Sequence, residues 1–124
     1  MAYLFVGIGG GLGAIARYAL SQVFSPLSSG FPVATLLINF IGALVIGFVT
    51  ELSQRLIPLP PSLLLFLTTG ICGGFTTFST FSFETINLFE KGRVAAGFGY
   101  AAASVLLCAA GVLAGKGLIR LFAR

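Results

Sequence analysis

The chain has 124 residues, 57% of them hydrophobic and 8% charged. An average soluble domain is about 25% charged, and so short a chain could not hide this much apolar surface from water, which excludes a soluble globular domain and leaves an integral membrane protein. The net charge of +4 comes from scattered bases, so nucleic acid is excluded as a partner, and with no His, no carboxylate pair and no nucleophile beside a base an enzyme is disfavoured.

The chain reads as one all-α domain over residues 1–124, with four apolar segments long enough to span a bilayer at about 20 residues each. The first runs from Tyr3 to Phe24. It lacks a basic n-region and a cleavage site, so it is a membrane span and not a signal peptide. Gly7, Gly11 and Ala14 recur in it at helical spacing, which suits close helix packing in lipid, and Arg17 lies toward its end. Ser25-Pro26-Leu27-Ser28-Ser29-Gly30 is a turn. The second segment, Pro32 to Thr50, carries Gly42, Gly47 and one strongly polar residue, Asn39. A polar side chain at membrane depth needs a partner. Asn39 is therefore either an interhelical hydrogen bond or an amide donor offered to a passing solute. Glu51 to Pro61 is the next connection.

The third segment, Ser62 to Phe89, holds the stretch that organises the rest, Gly70 through Glu84. Gly73-Gly74 weaken helical propensity, and the hydroxyls of Thr76, Thr77 and Thr80 compete for backbone partners. A helix broken near its middle, at Gly73 to Thr76, is expected. Irregular backbone survives at membrane depth only where protein buries it or where it lines a wet cavity. Carbonyls freed there suit a weakly held monovalent cation such as Na⁺. Phe75, Phe78 and Phe81 recur every three residues among Thr77, Ser79, Thr80 and Ser82. Ring edges carry positive charge; with hydroxyl and amide donors they make a weakly attractive path for a small anion. Glu84 is expected to cap or to pair with Arg17 or Arg93. After Glu90-Lys91-Gly92-Arg93, the fourth segment runs from Val94 to Leu121, with Ala103, Gly111 and Gly115 as packing residues. Cys72 and Cys108 show no metal spacing and read as small buried hydrophobes.

Four spans place both termini and the second connection on one side, with Arg55, Lys116, Arg120 and Arg124. The other side has Arg17, Lys91 and Arg93. So slight a bias leaves orientation weakly fixed. Insertion both ways then allows an antiparallel, dual-topology homodimer about a two-fold axis in the membrane plane.

Three motifs now carry a resemblance. Gly10 to Tyr18 resembles a GxxGAxxRY first helix, Thr35 to Gly42 a TxxxNxxG second helix, and Gly70 to Glu84 a GxxGGxTTFSTFSxE third helix, all of the Fluc (CrcB) fluoride ion channels. The resemblance implies an inverted homodimer with two antiparallel pores, passing fluoride passively out across the cell inner (plasma) membrane and so lowering its cytoplasmic level. It implies that Asn39 faces the pore, that Phe78 and Phe81 form a phenyl box, and that Ser79 and Thr80 join a polar track. Tyr100 and Ser104 are both candidates for the track's fourth-helix member. The resemblance further implies a central Na⁺ on the carbonyls of Gly73 and Thr76, with Arg17 toward the vestibule. The rival readings are a proton-coupled fluoride antiporter, a small exporter of cationic drugs and a non-transporting assembly protein. The exporter would need a carboxylate in the first span, which has none.

Overall fold

A computed structural model describes residues 1–123, so Arg124, one of the bases counted above, lies outside the described residues. The helices are α1 (Ala2–Phe24), α2 (Val33–Arg55), α3 (Pro61–Leu65), a π-helical stretch (Phe66–Cys72), α4 (Gly73–Phe75), α5 (Phe78–Glu90) and α6 (Val94–Phe122). They form four apolar stretches of membrane-spanning length, Ala2–Ser28, Val33–Arg55, Pro61–Glu90 and Val94–Phe122, which makes this a multi-pass membrane protein.

The boundaries follow from local chemistry. α1 gives way to a 3₁₀ turn at Ser25–Ser28 that has Pro26 in its first turn. The Ala34 amide at the start of α2 finds its acceptor in Ser28 Oγ, 2.9 Å away. α3 begins with Pro61, whose missing N–H costs nothing at a helix start. α5 ends in a Schellman turn: Gly92 has φ +73°, its amide donates to Phe89 O at 2.9 Å, and the Arg93 amide donates to Leu88 O at 2.9 Å.

α2 runs past its expected end at Thr50 to Arg55, because Glu51 does not belong to a connection. Its side chain is 2% exposed and receives Arg55 Nε at 2.5 Å and Arg120 Nε at 2.7 Å, with Lys116 Nζ at 3.9 Å. This cluster ties the ends of α2 and α6 together, and those two helices form the most extensive pairing in the fold. Their approach is set by glycine. A Cβ on Gly115 would lie 2.1 Å from Leu44 O, and one on Gly47 2.3 Å from Val112 O.

The second seam packs α1 onto the π stretch and α4. Its small residues are Gly9 and Gly13, not the expected Gly7 and Gly11, which face open space. A Cβ on Gly9 would lie 2.6 Å from Phe66 O, and one on Gly13 2.2 Å from Ile71 O. Helix rotation decides this: residues four apart share a face, and the sequence supplied two such sets.

Candidate functional site

The third span is broken, but later than its glycines suggest. Gly73 and Gly74 stay helical, and a Cβ on Gly74 would lie 2.2 Å from Gly10 O, so this glycine serves packing against α1. The chain extends at Thr76 (φ −79°, ψ 158°) and Thr77 (φ −148°, ψ 111°) before turning helical again at Phe78. The π stretch precedes the break, and the Gly73 amide reaches back five residues to Thr68 O.

One side chain holds the extended pair. Asn39 Nδ2 donates to Thr77 O at 3.1 Å, and Thr77 N donates to Asn39 Oδ1 at 2.8 Å. The amide thus pairs with the Thr77 backbone as a neighbouring strand would. Of the two roles expected for Asn39, the interhelical bond is the one seen; the second Nδ2 hydrogen remains for another acceptor. Thr77 also caps α5. Its Oγ1 accepts from the Thr80 amide at 3.2 Å, lies 3.0 Å from Thr80 Oγ1 and comes within 3.4 Å of Ser79 Oγ. Thr77 is expected from the sequence only as one hydroxyl among several, although its place before an apolar helix is that of an N-cap.

The break separates two helix ends of opposite polarity. α5 points its amino terminus, with first-turn amides lacking intrahelical acceptors, at the gap. The half-helix before it ends in carbonyls. Gly73 is exposed and its carbonyl loses its normal i+4 amide, because the Thr77 N–H goes to Asn39. Thr76 O receives no backbone amide among the described residues. Gly74 O accepts from Arg17 Nε at 3.2 Å. Arg17 therefore sits beside the break, not at the end of its span and not with Glu84.

A cavity of about 490 Å³ opens against the break, walled by Asn39, Thr77, Phe78, Phe81, Ser104 and Cys108 among others. Among the described residues no charged side chain lines it. Phe78 is 79% exposed, and its ring centroid lies 5.4 Å from that of Phe81. Phe81 in turn lies 5.0 Å from Tyr100. Ser104 is 7% exposed, and its hydroxyl has no partner among the described residues.

Glu84 pairs with neither Arg17 nor Arg93. Its carboxylate accepts from Thr35 Oγ1 at 2.8 Å and from Tyr100 Oη at 2.7 Å, while Arg93 donates to Gly30 O. Two hydroxyls within reach satisfy the carboxylate without a cation. Thr35 was missed; it lies four residues before Asn39, on the same face of α2. Tyr100 is fully buried and its hydroxyl is spent on Glu84, whereas that of Ser104 has no partner among the described residues.

A cleft at a broken helix, lined among the described residues by no charged side chain but by a helix amino terminus, hydroxyls and phenyl rings, defines a four-span membrane protein built around a mid-span polar site. The chain belongs to the CrcB-like family (CrcB-like protein, Camphor Resistance), which it matches over residues 4–116. Among its relatives, a protein of Ruminiclostridium cellulolyticum named Fluoride-specific ion channel FluC is 50% identical over 119 residues, covering 95% of this chain and 92% of the relative. Proteins of the same name from Chlorobium phaeobacteroides (47% over 105 residues, 85% of this chain and 81% of the relative) and Serratia proteamaculans (44% over 110 residues, 89% and 84%) are similar along most of their length.

Proposed function

We propose that this chain is a passive, fluoride-selective channel of the cell membrane that works as an antiparallel homodimer with two pores and lets fluoride leave the cytoplasm down its gradient. The observation that carries this is the break itself. The amino terminus of α5, the hydroxyl of Thr77 and the rings of Phe78 and Phe81 meet at a cavity that no charged side chain lines among the described residues, and the hydroxyls of Ser79 and Thr80 lie 3.4 and 3.0 Å from Thr77 Oγ1. Relatives up to 50% identical bear the name fluoride-specific ion channel. Fluoride is small and strongly hydrated, so a path must offer many donors to replace its water, yet none strong enough to trap it. Helix amides, hydroxyls and ring edges meet both needs.

In this reading Asn39 lends its remaining amide hydrogen to the pore, Phe78 and Phe81 form the phenyl box, and Ser79, Thr80 and Ser104 continue the donors. Tyr100 orients Phe81 and Glu84, and Arg17 raises the local potential for an anion. A second copy, inverted, supplies the wall that leaves Phe78 exposed here. The near balance of bases fits such a pairing: Arg55, Lys116 and Arg120 gather at one end, Lys91 and Arg93 at the other. The carbonyls of Gly73 and Thr76, free of helix amides, fit a weakly held Na⁺, which would supply a fixed charge where the two copies cross. A proton-coupled exporter would want a carboxylate on the cavity wall, and among the described residues the wall has none.

The test is release of fluoride from vesicles containing the purified protein. Rapid release at equal pH on both sides, with chloride retained, supports the channel. Release that requires a proton gradient, or equal loss of chloride, rejects it.

A further inference from the structure

We propose that Arg55, Lys116 and Arg120, drawn together on Glu51 where α2 and α6 end, form a binding site for the headgroup phosphate of an anionic phospholipid. The geometry begins with the carboxylate. Glu51 is buried, and it gathers Arg55 Nε at 2.5 Å, Arg120 Nε at 2.7 Å and Lys116 Nζ at 3.9 Å. Three positive charges thus meet one negative charge, an excess of two. The carboxyl ends of α2 and α6 each add about half a negative charge at most, so the cluster stays cationic. Its donors are not exhausted either. Each guanidinium spends only its Nε on the carboxylate, and its terminal nitrogens have no other partner among the described residues. Those N–H groups remain for a second oxyanion. Both arginine side chains are half-exposed while the carboxylate beneath them is not, so the open donors can be reached from outside.

The surroundings choose the ligand. The cluster lies at the end of two membrane-length helices. Leu56 and Ile57 follow Arg55, Leu121 and Phe122 follow Arg120, and all four are exposed. Bases with apolar side chains next to them match a molecule with an anionic phosphate and apolar tails, and a bilayer supplies such molecules at this depth. Glu51 also holds the bases in place before a lipid arrives, which lowers the ordering cost of binding. The opposite end of the fold is built differently. There Arg93 donates to the Gly30 carbonyl, and no carboxylate gathers it with Lys91 among the described residues.

The test uses the full chain purified in an uncharged detergent, with dioctanoyl phosphatidylglycerol as the probe and the thermal unfolding midpoint as the readout. The midpoint should rise saturably with phosphatidylglycerol, and dioctanoyl phosphatidylcholine should raise it far less. Lys116→Gln and Arg55→Gln each remove one charge and leave Arg120 on Glu51. Each should raise the half-saturating concentration about fivefold, the effect of one base near an anionic surface. Every variant is compared with its own lipid-free midpoint, so a lower starting stability does not mimic the effect. Lys91→Gln removes the same charge at the opposite end of the fold and should leave half-saturation as in wild type. Two cluster variants that bind phosphatidylglycerol like wild type overturn the site, as does an equal rise with phosphatidylcholine or an equal loss in Lys91→Gln. A rise that inorganic phosphate reproduces at the same concentration overturns the lipid assignment. None of these readouts needs flux, so the site stands or falls apart from the channel reading.

Discussion

The side-chain amide of Asn39 satisfies both the N–H and the C=O of Thr77, at 2.8 and 3.1 Å. This pairing lets the chain leave helical geometry in the middle of a span without stranding polar groups in a low dielectric. Asn39→Ala removes both partners at once. Each buried, unsatisfied backbone group costs about 1–3 kcal/mol, so the variant should melt markedly earlier in detergent and lose fluoride flux. Asn39→Asp keeps the acceptor for Thr77 N–H but sets a carboxylate oxygen against Thr77 O, and it should fall nearer to Ala than to wild type in the same thermal assay.

Phe78 separates function from stability. It is 79% exposed in the single chain, and substitutions at such positions usually change stability by about 0.5 kcal/mol or less. Phe78→Ile should therefore leave the fold of each chain close to wild type in stability, with any loss confined to its contact with the inverted copy, while cutting flux severely. Phe81→Ile should cut flux as strongly, with a larger stability loss from its lost contact with Tyr100 at 5.0 Å. Unchanged flux in either would remove the phenyl box from the mechanism.

Glu84 discriminates between passive and proton-coupled transport. It accepts two hydroxyl hydrogen bonds, from Thr35 and Tyr100. Glu84→Gln keeps one acceptor oxygen and offers its amide to the other hydroxyl, which can turn to accept. Most passive flux should persist. Glu84→Ala leaves both hydroxyls without that partner, at about 1–3 kcal/mol for each that stays unsatisfied, and should destabilise the protein. Complete loss of transport in Glu84→Gln, with the protein intact, would point to a proton carrier.

Gly115→Ala tests the α2–α6 seam. The new Cβ would lie 2.1 Å from the backbone oxygen of Leu44, which cannot swing aside as a side chain could. Overpacking of this kind costs about 1–3 kcal/mol, and thermal unfolding should show it. Gly117→Ala, with open space around its Cβ position, should be tolerated and serves as the control.

Much of this architecture is visible in the residues. Apolar runs bounded by proline, serine and glycine mark the four spans, and the hydroxyls around Thr77 foretell a broken helix. What hides is whatever depends on helix rotation. Gly9 and Gly13 carry the α1 seam while Gly7 and Gly11 face outward, because two interleaved sets with the same spacing cannot be ranked without a partner helix. Glu51 looks like a loop residue because it follows an apolar run, yet three bases brought from α2 and α6 bury it. Glu84 suggests an arginine by charge and finds two hydroxyls, one from α2 and one from α6. The break, expected at Gly73 to Thr76, falls at Thr76-Thr77, at the far end of that range, because α1 packs onto Gly74 and Asn39 captures Thr77. Both are tertiary contacts, which override local propensity.

The measurement closest to the central claim is the reversal potential of current through the purified protein in a planar bilayer, under a tenfold fluoride gradient with identical pH on both sides. A fluoride-selective passive pore should reverse near the fluoride equilibrium potential, about 59 mV for a monovalent ion, and should stay there when a pH difference is imposed. Reversal near zero in the presence of balancing chloride, or a reversal that moves with the pH difference, would contradict it.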